Sequence, residues 1–154
     1  VIRASDFNLP QHRPRTFMVG FLGEKKEDKM FDFPSSIELV KSMSDIFEAD
    51  CPKKIGYTLR LGGSDSGIND RRNWDRYWVN GIDTKIQPLH GKRMQGFPDD
   101  FYLSDSRTKS MRLLGNSVAV DAVYYVGKNL IEYMTDKDKF VFNNLFEPML
   151  KIAV

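Results

Sequence analysis

The chain has 154 residues, 41% of them hydrophobic, and a formal net charge of +2, which suits one compact unit or two small lobes and is too little for a large multidomain enzyme. One cysteine, Cys51, and two histidines, His12 and His90, exclude an internal disulfide and a Cys- or His-rich metal centre, so no metal is expected. With no apolar run of about 18 residues and no charged-then-apolar leader, the expectation is a cytoplasmic protein with no membrane partner.

The first residue is Val1, and a strand-like run follows at once, which suggests a segment of something longer. Residues 1–7 and 16–22 are rich in β-branched and aromatic side chains and predict two neighbouring strands joined by residues 8–15. Pro34-Ser35-Ser36 then precedes Ile37, Val40, Ile46 and Phe47 at helical spacing. Ser35 and Glu38 fit a capping box, and the helix is expected to end near Asp50, before Pro52. Residues 55–82 break into short extended pieces, 57–60 and 77–79, around a glycine-rich loop at 62–67, which reads as a small β-rich lobe. Short helices are expected at 85–94 and 106–114, with a turn at 96–101 between them. A longer helix follows Gly115-Asn116-Ser117, with Ala119, Val123, Val126, Leu130 and Met134 on one face. Residues 136–154 show no clear period.

Counting Lys and Arg against Asp and Glu gives +2 for residues 1–23, −4 for 24–51, +5 for 52–98 and −1 for 99–154. The basic stretch has no Glu, contains five Arg and four Lys, and interleaves Trp74, Tyr77 and Trp78, the mixture expected of a phosphate-tracking surface. In Pro10-Gln11-His12-Arg13-Pro14-Arg15, extended backbone would align Gln11, Arg13 and Arg15 as an amide and two guanidinium forks, suited to phosphate oxygens or a base carbonyl. Taken alone, the same string also reads as a solvated turn. Two further strings carry signal: Arg93-Met94-Gln95-Gly96-Phe97-Pro98-Asp99 and Leu114-Gly115-Asn116-Ser117-Val118. A Gly-Asn-Ser turn opening an apolar helix offers free N–H groups to an anion, or is ordinary capping.

In this order, around a variable basic lobe, Asp6-Phe7-Asn8-Leu9-Pro10-Gln11-x-Arg13-x-Arg15, the Arg93 to Asp99 string and Gly115-Asn116-Ser117-Val118 resemble conserved blocks eight, nine and ten of the DNA cytosine-5 methyltransferases. The resemblance runs from about residue 2 to residue 133. It implies an α/β fold: the C-terminal portion of a Rossmann-like, S-adenosylmethionine-dependent methyltransferase sheet, with a small β-rich target recognition lobe. The implied divisions are 1–34 (block eight strands), 35–83 (target lobe), 84–135 (blocks nine and ten with the final helix) and 136–154 (tail). The implied function is that of a C-terminal fragment or subunit of a bacterial restriction-modification enzyme. Such a part reads double-stranded DNA, lines the pocket of a cytosine flipped out of the stack, where its ring atoms become reachable, and closes the S-adenosylmethionine site.

By the same resemblance Gln11, Arg13 and Arg15 line the flipped-base pocket, and Asn116, Ser117 and Val118 meet the cofactor. Thr58, Arg60, Gly62, Gly63, Ser64, Arg71, Arg72 and Arg76 face DNA. The family's Pro-Cys nucleophile, Phe-x-Gly-x-Gly loop and Glu-Asn-Val block are missing. Cys51-Pro52 is reversed and misplaced, so this segment is expected to be inactive without an N-terminal catalytic half. In block nine Thr84 and His90 replace the usual Arg and Glu, and His90 reads as structural. A stand-alone DNA-binding module, an inactive remnant and a transfer-RNA methyltransferase relative remain alternatives.

Overall fold

The computed structural model describes residues 1–21, 24–25, 31–60, 66–135 and 140–141. In chain order the elements are β1 (Ile2–Arg3), a 3₁₀ turn (Ala4–Phe7), β2 (Pro14–Arg15), β3 (Glu24–Lys25), α1 (Met43–Phe47), β4 (Arg76–Val79), β5 (Ile82–Lys85), α2 (Pro88–Met94), α3 (Arg107–Asn116), α4 (Val120–Thr135) and β6 (Phe140–Val141). The architecture is mixed helix and small two-stranded antiparallel sheets, β1-β2, β3-β6 and β4-β5. The chain divides into two compact units, Val1–Thr16 with Ser36–Val123 and Phe17–Ser35 with Tyr124–Val154.

In the first unit the strands lie elsewhere than the residue pattern predicts. Among the described residues the two strands expected at 1–7 and 16–22 are replaced by a short pair inside residues 2–15, in which Ile2 faces Arg15 and Arg3 faces Pro14. The Asp6 carboxylate accepts the Arg3 N–H at 2.8 Å, which turns the chain into the 3₁₀ turn directly after β1. That turn also explains why the expected helix from residue 35 does not form. The Ile37 N–H donates to the Asp6 carbonyl at 2.9 Å, and the Val40 and Lys41 N–H groups donate to Asn8 Oδ1 at 2.9 and 3.0 Å. Donors that a helix would direct to its own preceding turn are thereby engaged by residues 6–8. Only α1 is helical, and its capping box is Ser42 with Asp45 rather than Ser35 with Glu38.

The core gathers Met43 and Ile46 of α1, Leu59, Tyr77 of β4, Ile86, Met94 of α2, and Met111 and Leu114 of α3. Gly56 lies against it. The Gly56 N–H donates to the Pro10 carbonyl (2.9 Å) and its carbonyl accepts from the His12 N–H (2.8 Å), which fastens the 8–15 segment to the lobe. The hairpin β4-β5 turns at Asn80 and Gly81, with φ of 50° and 74°. Two positive φ angles in a two-residue loop define the turn type that Asn-Gly favours, a signal the strand reading at 77–79 passed over.

Gly115 and Asn116 close α3 instead of opening α4. The inward positions around the start of α4 are Ala119, Ala122 and Val126, while Val123 is 47% exposed, so the apolar stripe is offset from the predicted one. In the second unit Tyr133 of α4 packs its ring against Phe21 (4.7 Å between centroids) and Phe31 (5.8 Å), and Asn129 Nδ2 donates to the Asp32 carbonyl at 3.1 Å. No helix among the described residues is long and apolar enough to cross a membrane.

Candidate functional site

Gln11, Arg13 and Arg15 do not form an open row. Gln11 bridges in parallel to Gly56, and both Gln11 and Arg13 are buried, Arg13 to 1% exposure. The Arg13 guanidinium donates from Nη1 to the Leu59 carbonyl at 3.2 Å, and from Nη2 to the carbonyls of Gly115 (2.8 Å) and Ser117. Burial first, and the charge of Arg15 second, pull its pKa down to about 10, which still leaves it protonated at neutral pH.

From the other side Gln95, also buried, donates through Nε2 to the Leu114 carbonyl and accepts the Ser117 hydroxyl at 2.9 Å on Oε1. Its backbone carbonyl accepts the Val120 N–H at 2.8 Å. Three strings far apart in sequence, around Arg13, Gln95 and Ser117, therefore converge in one hydrogen-bonded knot. The Gln11 amide is buried beside it in sequence with neither Oε1 nor Nε2 hydrogen-bonded among the described residues. A buried amide without partners carries a desolvation cost of about 1–3 kcal/mol per group. Arg15 is half-buried, and the side-chain hydrogen bond described for it runs to the adjacent Pro14 carbonyl at 2.8 Å.

The knot also sets the turn between α3 and α4. Asn116 and Val118 are exposed, whereas Ser117 between them is drawn inward by Gln95 and Arg13. In the basic lobe the Thr58 hydroxyl donates to the His12 carbonyl, so it ties the lobe to the 8–15 segment. Arg60 and Arg71 are exposed. Arg72 holds Asp70 through guanidinium contacts of 3.1 and 2.9 Å and then through its own N–H at 2.7 Å, which keeps that carboxyl down at about 2. Arg76 reaches Asp83 diagonally across the hairpin at 3.1 Å. Gly62, Gly63 and Ser64 lie outside the described residues.

A family model for C-5 cytosine-specific DNA methylase matches residues 1–76 and 66–132. The chain belongs to the C-5 cytosine-specific DNA methylase family. Among its relatives, the Type II methyltransferase M.DsaV of Dactylococcopsis salina is 28% identical over 90% of this chain and 49% of its own length. M.SsoII of Shigella sonnei is 28% identical over 85% of this chain and 43% of its own length. M.HhaI of Haemophilus parahaemolyticus is 24% identical over 84% and 51%. The chain spans about half the length of the curated relatives it matches.

In this family member Thr84 and His90 have structural positions. Thr84 donates its hydroxyl to the Ile82 carbonyl at 3.1 Å. His90 sits in the first turn of α2, where its Nδ1 accepts the Gln87 N–H at 3.2 Å, a capping contact that requires an unprotonated nitrogen. Its ring lies 4.6 Å from that of Phe47. Burial, and then the Arg93 charge, lower its pKa below the ordinary 6.5. Between the two values the unfolded chain binds a proton that the folded chain does not. The stability from His90 is therefore complete above about pH 6.5 and is lost as pH falls towards the folded value. The thermal midpoint of the wild type is expected to fall more steeply from about pH 7.5 to about 5.5 than that of His90→Asn, which keeps an acceptor without titrating; parallel curves would contradict this role.

Arg93 supplies the ionic link of this region. Its Nη2 meets Asp99 at 2.7 Å and Glu48 at 3.1 Å, and Nη1 reaches the Ile46 carbonyl, joining α2 to the end of α1. Cys51 is buried, and burial pushes its thiol up, the opposite of what a thiolate nucleophile needs. The sequence pattern alone marks neither Gln95 nor Gly56 as part of the site. A buried glutamine before Gly-Phe-Pro has no periodicity of its own, and its function appears only when its partner turn is placed beside it.

Proposed function

We propose that this chain is the part of a restriction-modification DNA cytosine-5 methyltransferase that reads the target, lines the flipped-cytosine pocket and closes over S-adenosylmethionine. Methyl transfer then requires an N-terminal catalytic part carrying the nucleophile. The carrying observation is the knot in which Arg13, Gln95 and Ser117 join three separated blocks, with the unpartnered Gln11 amide in the same segment. Cytosine offers a carbonyl and an exocyclic amine, which the donor and acceptor of one amide complement, and the half-buried Arg15 adds a charged donor nearby in sequence. Arg13 acts as the positioning residue that holds this segment.

On this reading residues 1–34 close a Rossmann-like sheet, 35–83 form the target lobe and 84–135 return to the catalytic domain. Asn116 and Val118 offer S-adenosylmethionine an amide and an isopropyl group at the surface, and Ser117 fixes the turn that presents them. When bound, the cofactor supplies the methyl group. Two side chains suit a lid contact, and the remaining contacts come from the N-terminal part. In a bacterial host the enzyme works in the cytoplasm on nucleoid DNA.

Arg60→Ala and Arg71→Ala test the DNA-reading role. In the assembled enzyme each is expected to weaken duplex binding and, where it removes a phosphate contact, to lower the salt slope by about one. Unchanged affinity and slope in both would contradict it.

A further inference from the structure

A cleft of about 250 Å³ opens in the first compact unit, lined by Lys53, Tyr57, Asn69, Arg76 and Trp78 among others. Its chemistry follows from the pleat of β4. Tyr77 and Val79 are buried and Arg76 and Trp78 share the more exposed face, while Tyr77 also lines the cleft. Trp78 is 46% exposed, whereas the chain's other tryptophan, Trp74, is 3% exposed. The Lys53 ammonium stands 4.0 Å over the Tyr57 ring. Asp83, the carboxylate beside the cleft's arginine, is held by Arg76. Asn69 is exposed, and it follows closely in sequence on the glycine-rich segment. The cleft therefore combines an accessible indole face, a second aromatic ring, a half-exposed ammonium and an amide, with the nearby acid neutralised. Stacking surfaces beside cations suit a flat, anionic ligand, which is a nucleotide. None of these residues belongs to the knot around Arg13.

We propose that this cleft holds one nucleotide of the bound DNA other than the methylated cytosine, turned out of the stack, with its phosphate on Lys53 and its base against Trp78. The inference rests on the DNA-reading role proposed above and adds a specificity-determining subsite to it. Arg76, tied to Asp83, keeps the rim of the cleft in place.

The test uses the assembled enzyme and a duplex that it selects from a random-sequence pool. Trp78→Ala is expected to weaken binding roughly fivefold or more, while Trp78→Phe keeps most of it. Lys53→Ala is expected to lower the salt slope by about one. Abasic residues are then placed at each position of the duplex in turn. One position outside the target cytosine is expected to lose affinity in the wild type and none in Trp78→Ala. If Trp78→Ala and Lys53→Ala both bind as the wild type while Arg60→Ala still weakens binding, the cleft is not a nucleotide subsite and the DNA-reading role stands. If none of the three changes binding, both readings fall. Lys53→Ala alters a half-buried surface side chain, and it decides the matter should Trp78→Ala lower the thermal midpoint.

Discussion

Arg13→Ala is expected to cost about 3–5 kcal/mol of folding stability, and with it all methyl transfer in the assembled enzyme. The substitution removes one buried cation and leaves the carbonyls of Leu59, Gly115 and Ser117 without their donor. Each is an acceptor in a place where burial has already removed much of its water, and the void left by the side chain adds a cavity cost. Water entering that void recovers part of the loss, so the three contributions do not simply add. Against a typical total of about 5–15 kcal/mol, the effect is large enough to leave much of the protein unfolded at growth temperature. Arg13→Lys is expected to fall between, because an ammonium is a point charge that cannot serve carbonyls from three directions as a planar fork does. Denaturant unfolding of the three proteins checks the order. A loss below about 1 kcal/mol in the alanine variant would mean that the knot does not hold the fold.

The second large effect is expected at Gly56. A Cβ there would stand 2.6 Å from Met43 Sδ, 2.7 Å from Met94 Cε and 3.1 Å from the Tyr77 hydroxyl. Methionine ends are flexible on a surface, but Met43 and Met94 are fully buried, with neighbours on every side. The alternative is for the backbone to retreat, and Gly56 is fixed on both sides by Pro10 and His12. The Tyr77 hydroxyl is also engaged, accepting the Tyr57 N–H at 2.9 Å. Gly56→Ala is expected to cost about 1–3 kcal/mol, and Gly56→Val more, through overpacking and through loss of the stitch between the 8–15 segment and the lobe. Thermal unfolding measures the first. Slower proteolysis at residues 8–15 than in the wild type would contradict the second.

The pattern of legibility follows from range. Motif strings are short and specific, so the three blocks could be read from residues, and the family match agrees with them. Local elements were readable where the signal is local: the helices at α2 and α3 lie close to where spacing placed them, although Gly115 and Asn116 belong to the end of α3. The failures are long-range. Nothing near residues 35–42 says that the Asp6 carbonyl and the Asn8 amide will take their N–H groups, so an apolar spacing that looks helical forms no helix before Met43. Gln11, Arg13 and Arg15 look like a solvent-facing row for the same reason. The burial of Gln11 and Arg13 depends on Gly56, Leu59 and Gly115, which lie between 45 and 102 residues away. The exception is Asn80-Gly81, a local hairpin signal present in the sequence and overlooked beside the aromatic run that precedes it.

Transfer of a labelled methyl group to DNA tests the central claim most directly. The chain alone is expected to give no incorporation, and the chain mixed with a matching N-terminal half carrying the family's nucleophile is expected to methylate cytosine at C5. Gln11→Leu is expected to lower turnover in that mixture while leaving duplex binding near the wild-type value. Incorporation by the chain alone, or none from a mixture in which both halves are folded and associated, would contradict the account.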